Sequence, residues 1–254
     1  MYEQFELIRN YLIENKYDLG LESLLAAHIL RTKTDKKFTK QEHCEGLLLS
    51  VLSANRPWIG IVQHIDDLKR VFHDYDPDFL RSANPDDLTR DVVAIGCGNR
   101  RIAAQMSEIS YNVSLLDYYE KEYGDCDAPM QMAVENPIEI LYVFSDKKSM
   151  LKFKGVAVAL AAQYMKNMGI DLVKPDVHLR RILQRFGLTA GLPDEYETIR
   201  ICKNIADKYG ITQTEVGTIL WQFCATGYLE ICGANPRCGV CPANSECYHA
   251  SLYK

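Results

Sequence analysis

The stretch DKKSMLKFKGVAVALAAQYMKNMGIDLVKPDVHLRRILQRFG, residues 146–187, decides the fold. Its first half reads as two helices about a tight turn at Phe153-Lys154-Gly155-Val156. A short basic helix precedes the turn, and an Ala-rich helix follows it and ends at Gly169. Gly155 permits a close turn with backbone near a ligand. The helix after it directs unpaired N–H groups and a positive dipole end outward, an arrangement that binds phosphate. The same residues read equally well as a plain αα-hairpin. In the second half, Pro175 biases Lys174 to an extended conformation, so that Asp176 can cap a helix. Leu179, Ile182, Leu183 and Phe186 form the buried stripe of that helix and leave Arg180, Arg181 and Arg185 outward. On sequence alone Asp176 is an ordinary N-cap worth about 1 kcal/mol, and His178 is a surface or packing histidine.

Outward from this stretch the dominant period is helical. LESLLAAHILRT (21–32) and GLLLSVLSAN (46–55) are apolar enough to pack on several sides. RIAAQMSEISYNVSLLDYY (101–119) places Ile102, Met106, Ile109, Val113 and Leu116 on one face. Thr212 with Glu215 three residues on forms a capping box. Residues 194–210 start acidic, end basic and stop at Gly210, as a helix dipole prefers. Alternating β-branched runs are few, and neither repeat nor polar linker interrupts the pattern. The expectation is an all-α chain of about ten short helices.

Composition agrees with a globular protein: 254 residues, 47% hydrophobic and 25% charged, allow one large domain or two smaller ones. No apolar run is long enough for a membrane span, and the acidic, patterned N-terminus is not a signal peptide. A cytoplasmic protein is expected, nucleoid-associated if prokaryotic. The net charge of −5 argues mildly against a nucleic-acid partner. The basic residues nevertheless bunch at Arg100-Arg101, at Lys147, Lys148, Lys152 and Lys154, and at Lys174, Arg180, Arg181 and Arg185. Whole-chain charge says little about one face.

Nine cysteines are many for such a chain. Cys44, Cys97, Cys126, Cys202 and Cys224 are scattered and read as small buried hydrophobes. The other four, Cys232, Cys238, Cys241 and Cys247, fall within ICGANPRCGVCPANSECYHA (231–250). An odd total and a chain of this size argue against a disulfide framework. Most zinc modules use two separated C-x-x-C pairs. One C-x-x-C with a flanking cysteine on each side suits wrapping a single 4Fe–4S cube better.

The hairpin around Gly155, the PDVH tetrapeptide (175–178) and PRCGVC (236–241) with its flanking cysteines, in this order, resemble the endonuclease III family of DNA glycosylases. This is the helix-hairpin-helix superfamily with a C-terminal iron–sulfur loop, and the likeness runs from about Cys44 to Tyr248. The family spacing is usually C-x6-C-x2-C-x5-C, and this loop is one residue shorter between its first two cysteines. The resemblance implies a 4Fe–4S cluster on the four cysteines. It implies a double-stranded DNA partner containing a damaged or mismatched base, no membrane partner, and a monomer. It makes Asp176 both helix cap and catalytic carboxylate, acting on a base flipped out of the duplex and stabilising oxocarbenium character at the sugar. Lys154, Gly155, Val156 and Ala157 become the phosphate-binding turn.

Family members that also nick the backbone carry Leu-Pro-Gly-Val-Gly, one further residue and then a lysine. In this chain Ala157 replaces the second glycine and Ala159 the lysine that would form a Schiff base. The resemblance therefore implies a monofunctional glycosylase with AP-lyase activity weak or absent. Asn55, in LSANRPW (52–58), takes the place of a glutamine that enters the duplex gap. Trp58 reads either as a wall of the base pocket or as core. In IGCGNRR (95–101) Cys97 stands where a wedging leucine is common, which shifts that role to Asn99 or Arg100.

The implied fold is two-lobed, with the active site in the cleft. Residues 1–38 pack with a catalytic and cluster lobe at 170–254, and 39–169 form a six-helix barrel containing the hairpin. The substitutions at Ala157 and Ala159 also keep open a non-catalytic iron–sulfur DNA-binding protein of the same fold. The excised base is not legible from these residues.

Overall fold

A computed structural model of the chain describes residues 2–252. Among these residues the protein is all-helical, with fifteen α-helical segments, two 3-10 turns and no strand. Several segments are single turns, such as Ile59–Val62 and Tyr248–Ser251, which is why there are more than the pattern suggested. The chain divides into two compact units. One takes in the chain up to Ala26 together with the chain from Asp171 onward, and the other is Ala27–Ile170. The first boundary lies inside the Leu21–Thr34 helix, not at residue 38.

In the Ala27–Ile170 unit, Thr39 and Glu42 form a reciprocal capping box that starts the Lys40–Leu52 helix. That helix buries Cys44, Leu47, Leu48, Val51 and Leu52 and packs on the Val158–Asn167 helix. The 22-residue helix Ile102–Tyr123 buries all five apolar positions expected of it. Two shorter helices lie across it, Pro77–Ser82 and Pro85–Ala94, each with proline in its first turn and a side-chain cap, Asp76 and Asn84 respectively. An aromatic core gathers Tyr119, Phe144, Phe153 and Tyr164, with Phe153 ring centroids 5.1 Å from Phe144 and 5.2 Å from Tyr164. Phe153, the first residue of the turn, is thus fully buried.

Two local expectations fail in this unit. Residues 146–152 do not form a basic helix; the helix before the turn is Pro137–Ser145. Asp146 Oδ1 takes the Lys148 N–H at 2.7 Å and Ser149 Oγ takes the Leu151 N–H at 3.2 Å, so short polar side chains win the backbone donors from a helix. The Leu21–Thr34 helix, read as packed on several sides, leaves Ile29 and Leu30 exposed; among its described side chains the buried one is Arg31.

In the other unit, Glu3–Glu14 contributes Phe5, Ile8 and Leu12 to the core and packs on Gln213–Cys224. The Thr212–Glu215 capping box forms as expected. A second cap comes from far along the chain, because the Asp171 carboxylate accepts the N–H groups of Gln213 and Thr214 at 3.1 and 3.0 Å. Glu195–Tyr209 ends at Gly210, whose left-handed φ of 62° closes it. Val177–Arg185 buries Leu179, Ile182 and Leu183, with Phe186 behind them.

Candidate functional site

Within the Ala27–Ile170 unit, the hairpin turn rests on one face of the Ile102–Tyr123 helix. Asn112 grips the Lys154 backbone at both ends: its Oδ1 accepts the Lys154 N–H at 2.8 Å, and its Nδ2 donates to the Lys154 carbonyl at 3.1 Å. The Lys154 ammonium lies 3.9 Å from the centre of the Tyr111 ring. Lys152 turns inward and donates its Nζ to the carbonyls of Ser145 (2.9 Å) and Val156. Burial pulls its pKa below that of a free lysine. Gly155 has φ 70°, which a side chain rarely adopts. No side chain caps the following helix at Ala157, and Gly155 and Ala157 donate no backbone hydrogen bond among the described residues. Of the four turn residues named from sequence, Gly155 and Ala157 therefore keep free donors. The Lys154 N–H goes to Asn112, and the Val156 N–H closes the turn on the Phe153 carbonyl at 3.4 Å. Ala159 sits in the first turn of that helix and offers no amine.

The loops around Asn55 and Arg100 are tied together by a residue that sequence reading passed over. Arg56 donates Nη2 to the Gly96 carbonyl at 2.8 Å and Nη1 to the Gly98 carbonyl at 3.2 Å. Asn55 is exposed in the left-handed region, with φ 54°. The Asn99 side chain is engaged within its own loop, donating to Gln105 Oε1 at 2.9 Å and accepting the Arg101 N–H at 2.8 Å. Cys97 is fully buried and points into the fold, whereas Arg100 is exposed. Trp58 is half-buried at the start of the Ile59–Val62 turn.

In the other unit, Asp176 stands at the N-cap of Val177–Arg185. Its Oδ1 accepts the N–H groups of His178 at 2.9 Å and Leu179 at 3.3 Å. The Asp176 N–H closes on the Lys174 carbonyl at 2.9 Å. Oδ1 alone therefore carries the cap, and Oδ2 takes no donor in it. Burial pulls the Lys174 pKa down, against the opposing pull of the Asp176 charge. Burial likewise lowers that of His178, whose Nδ1 is enclosed without a partner among the described residues. The His178 ring meets Trp221 edge-on at 6.3 Å, and Trp221 meets Tyr228 at 4.7 Å. An aromatic wall thus begins two residues from Asp176. The sequence signal for it was slight: a tryptophan and a tyrosine seven residues apart across a helix end.

Two of the three arginines read as outward, Arg180 and Arg185, are engaged. Arg180 donates Nε to the Pro193 carbonyl at 2.6 Å. Arg185 reaches the cysteine loop, donating to the carbonyls of Cys232 (3.0 Å), Gly233 (2.6 Å) and Ala234 (3.0 Å) and to Cys232 Sγ (3.4 Å). Cys232, Cys238, Cys241 and Cys247 line one cavity with Arg185, Phe186 and Asn244. Asn244 Nδ2 donates to the Cys238 carbonyl at 2.5 Å and holds the loop closed. Hydrogen bonding from Cys224, with help from Arg185, pulls the Cys232 thiol down to about 7, while burial pushes Cys241 up to about 11. Among the described residues no three His, Cys, Asp or Glu side chains converge on a point that one metal ion could occupy.

No family model matches the sequence, and no curated protein matches it. Solved structures do match. The 8-oxoguanine glycosylase/lyase of Methanocaldococcus jannaschii, in complex with DNA containing 8-oxoguanine, aligns with TM-score 0.59 and 15% identity over 86% of this chain and 95% of that one. The 8-oxoguanine DNA glycosylase of Thermotoga maritima aligns with TM-score 0.57 and 17% identity over 87% and 95%. A trapped endonuclease III–DNA covalent intermediate aligns with TM-score 0.58 and 15% identity over 93% and 98%. The fold of this chain is that of the helix-hairpin-helix DNA glycosylases.

Proposed function

We propose that the protein is a DNA glycosylase of base-excision repair that binds duplex DNA, flips a damaged or mismatched base and hydrolyses its N-glycosidic bond with Asp176. The observation that carries this reading is the Asp176 carboxylate, anchored through one oxygen with the other left over, in a chain with a glycosylase fold. An oriented carboxylate beside the sugar stabilises the positive charge that develops as the base departs, and it can take a proton from attacking water. Trp221, edge-on to the ring of His178 two residues after Asp176, offers a stacking surface. Gly155 and Ala157 provide free N–H donors for a backbone phosphate. With alanine at 159 the reaction uses water where related lyases use an amine, so strand cleavage is weak or absent.

The cysteine loop fits a 4Fe–4S cluster. Four thiols line one cavity, the number and kind of donors that a 4Fe–4S cube takes. The Arg185 guanidinium offsets the negative charge that four thiolates bring. When bound, the cluster serves as a structural bracket for the loop. Cys232, Cys238, Cys241 and Cys247 would hold it.

The test uses duplexes carrying 8-oxoguanine, uracil, mismatched thymine, adenine opposite 8-oxoguanine, and alkylated purines. Free base and alkali-labile sites are measured for the wild type and Asp176→Asn. Base release without strand cleavage until alkali is added, and lost in Asp176→Asn, supports the reading. A borohydride-trapped covalent adduct would overturn the hydrolytic mechanism. DNA binding with no base released from any duplex would favour the non-catalytic alternative.

A further inference from the structure

Glu108 lies on the Ile102–Tyr123 helix against the hairpin turn, and nothing in the proposed chemistry uses it. A Cβ built on Gly155 would fall 2.1 Å from Glu108 Oε2, so the carboxylate presses on the backbone of the turn itself. Oε2 is buried, and no donor among the described residues reaches it. The two lysines of the turn point elsewhere. Lys152 gives its ammonium to the Ser145 and Val156 carbonyls, and Lys154 gives its own to the Tyr111 ring. A buried carboxylate oxygen without a donor is costly, and contact with a glycine does not offset that cost. Stability therefore does not account for Glu108. Its carboxylate is, however, placed against Gly155, in the turn whose Gly155 and Ala157 N–H groups are free, where a negative charge opposes any anion that approaches them.

We propose that Glu108 is an electrostatic brake on the hairpin, weakening its hold on a DNA backbone phosphate so that encounters with undamaged duplex stay short. The inference rests on the reading of the turn as phosphate-binding. Contacts to phosphate supply nearly all of non-specific DNA affinity, so one opposing charge at such a contact acts on every stretch of duplex alike. An enzyme that must leave undamaged DNA to find a rare base gains from weaker non-specific contact.

The test compares the wild type, Glu108→Gln and Glu108→Ala on an undamaged duplex, measuring affinity and dissociation rate at low and high salt, with the melting midpoint of each protein. Both variants are expected to bind about three- to tenfold more tightly and to dissociate more slowly, the gain shrinking as salt rises. Glu108→Ala also removes the contact with Gly155, so tightening in both variants assigns the effect to charge. Unchanged or weaker binding by a folded Glu108→Gln overturns the brake. A wild type that does not bind duplex at all removes the phosphate reading and the brake with it. Measurable wild-type binding that neither variant tightens removes the brake alone.

Discussion

Arg31 and Asp127 form a two-point ion pair, Nη1 to Oδ2 at 2.9 Å and Nη2 to Oδ1 at 2.7 Å, in which both side chains are closed off from solvent. His43 Nε2 adds a third contact to Asp127 at 3.0 Å, and His43 Nδ1 lies 2.6 Å from the Tyr164 hydroxyl. Arg31 Nε also donates to the Met168 carbonyl at 2.6 Å. The network therefore fixes the Val158–Asn167 helix, which begins at the hairpin turn, by its interior and by its end.

Removing one member should expose the cost of the others. Asp127→Asn leaves the Arg31 charge buried without its counter-ion, and a loss of about 3–5 kcal/mol is expected. Denaturant unfolding of the two proteins measures it.

The same pair sets an acid limit. Burial pushes the Asp127 carboxyl upward, but hydrogen bonds from His43 and Arg31 outweigh it and hold the pKa below the ordinary value. A lowered folded-state pKa contributes stability above the unfolded value, about 3.9, and loses it as pH falls through the folded value. Wild-type unfolding free energy should thus decline below about pH 4, with a shallower decline in Asp127→Asn. Parallel curves would exclude Asp127 as the source.

Asp176 is a helix cap, and the proposed function gives it a second role that substitutions can separate from the first. Asparagine caps helices about as well as aspartate, and alanine costs about 1 kcal/mol. Asp176→Asn should therefore melt close to the wild type yet release no base, whereas Asp176→Ala loses both. Comparable base release by Asp176→Asn and the wild type would leave the carboxylate as a cap only.

Gly155 answers to two constraints at once. A side chain there meets the left-handed φ, a cost of about 1–2 kcal/mol, and also Glu108 Oε2. Gly155→Ala should be destabilised by more than the backbone cost alone. Adding Glu108→Ala should recover the excess, and a double-mutant cycle of unfolding free energies measures it.

Arg185→Ala should loosen the cysteine loop, because three carbonyls and one sulfur lose a charged donor. Hydrogen bonds to charged groups contribute about 1.5–3 kcal/mol each. With the proposed cluster on the loop, iron bound per chain after purification is expected to fall, and Arg185→Lys should restore it only in part, since an ammonium cannot span the same fork.

What could be read in the sequence was what depends on near neighbours. The Thr212–Glu215 box, the stop at Gly210 and the stripes at Leu179–Phe186 and Ile102–Leu116 are set by spacing within a few turns. What could not be read depends on distant partners. Asn112 finds Lys154 across 42 positions, and Arg31 finds Asp127 across 96. The outward face of Val177–Arg185 was visible as polar, but nothing local showed that residues 232–234 would cover its last arginine. The basic stretch after Ser145 misled for a related reason: its lysines have helical spacing, and Asp146 and Ser149 capture the backbone first.

Asp176, which starts a helix, and Arg185, which ends it on the cysteine loop, lie nine positions apart. A helix is a rod with a fixed advance of about 1.5 Å and about 100° per residue. The rod therefore acts as a gauge between the carboxylate and the loop. Substitutions along it can change its surface, but a single inserted residue would swing Arg185 about a quarter-turn away from Cys232. Tolerance at this helix is thus a matter of residue count before it is one of residue type.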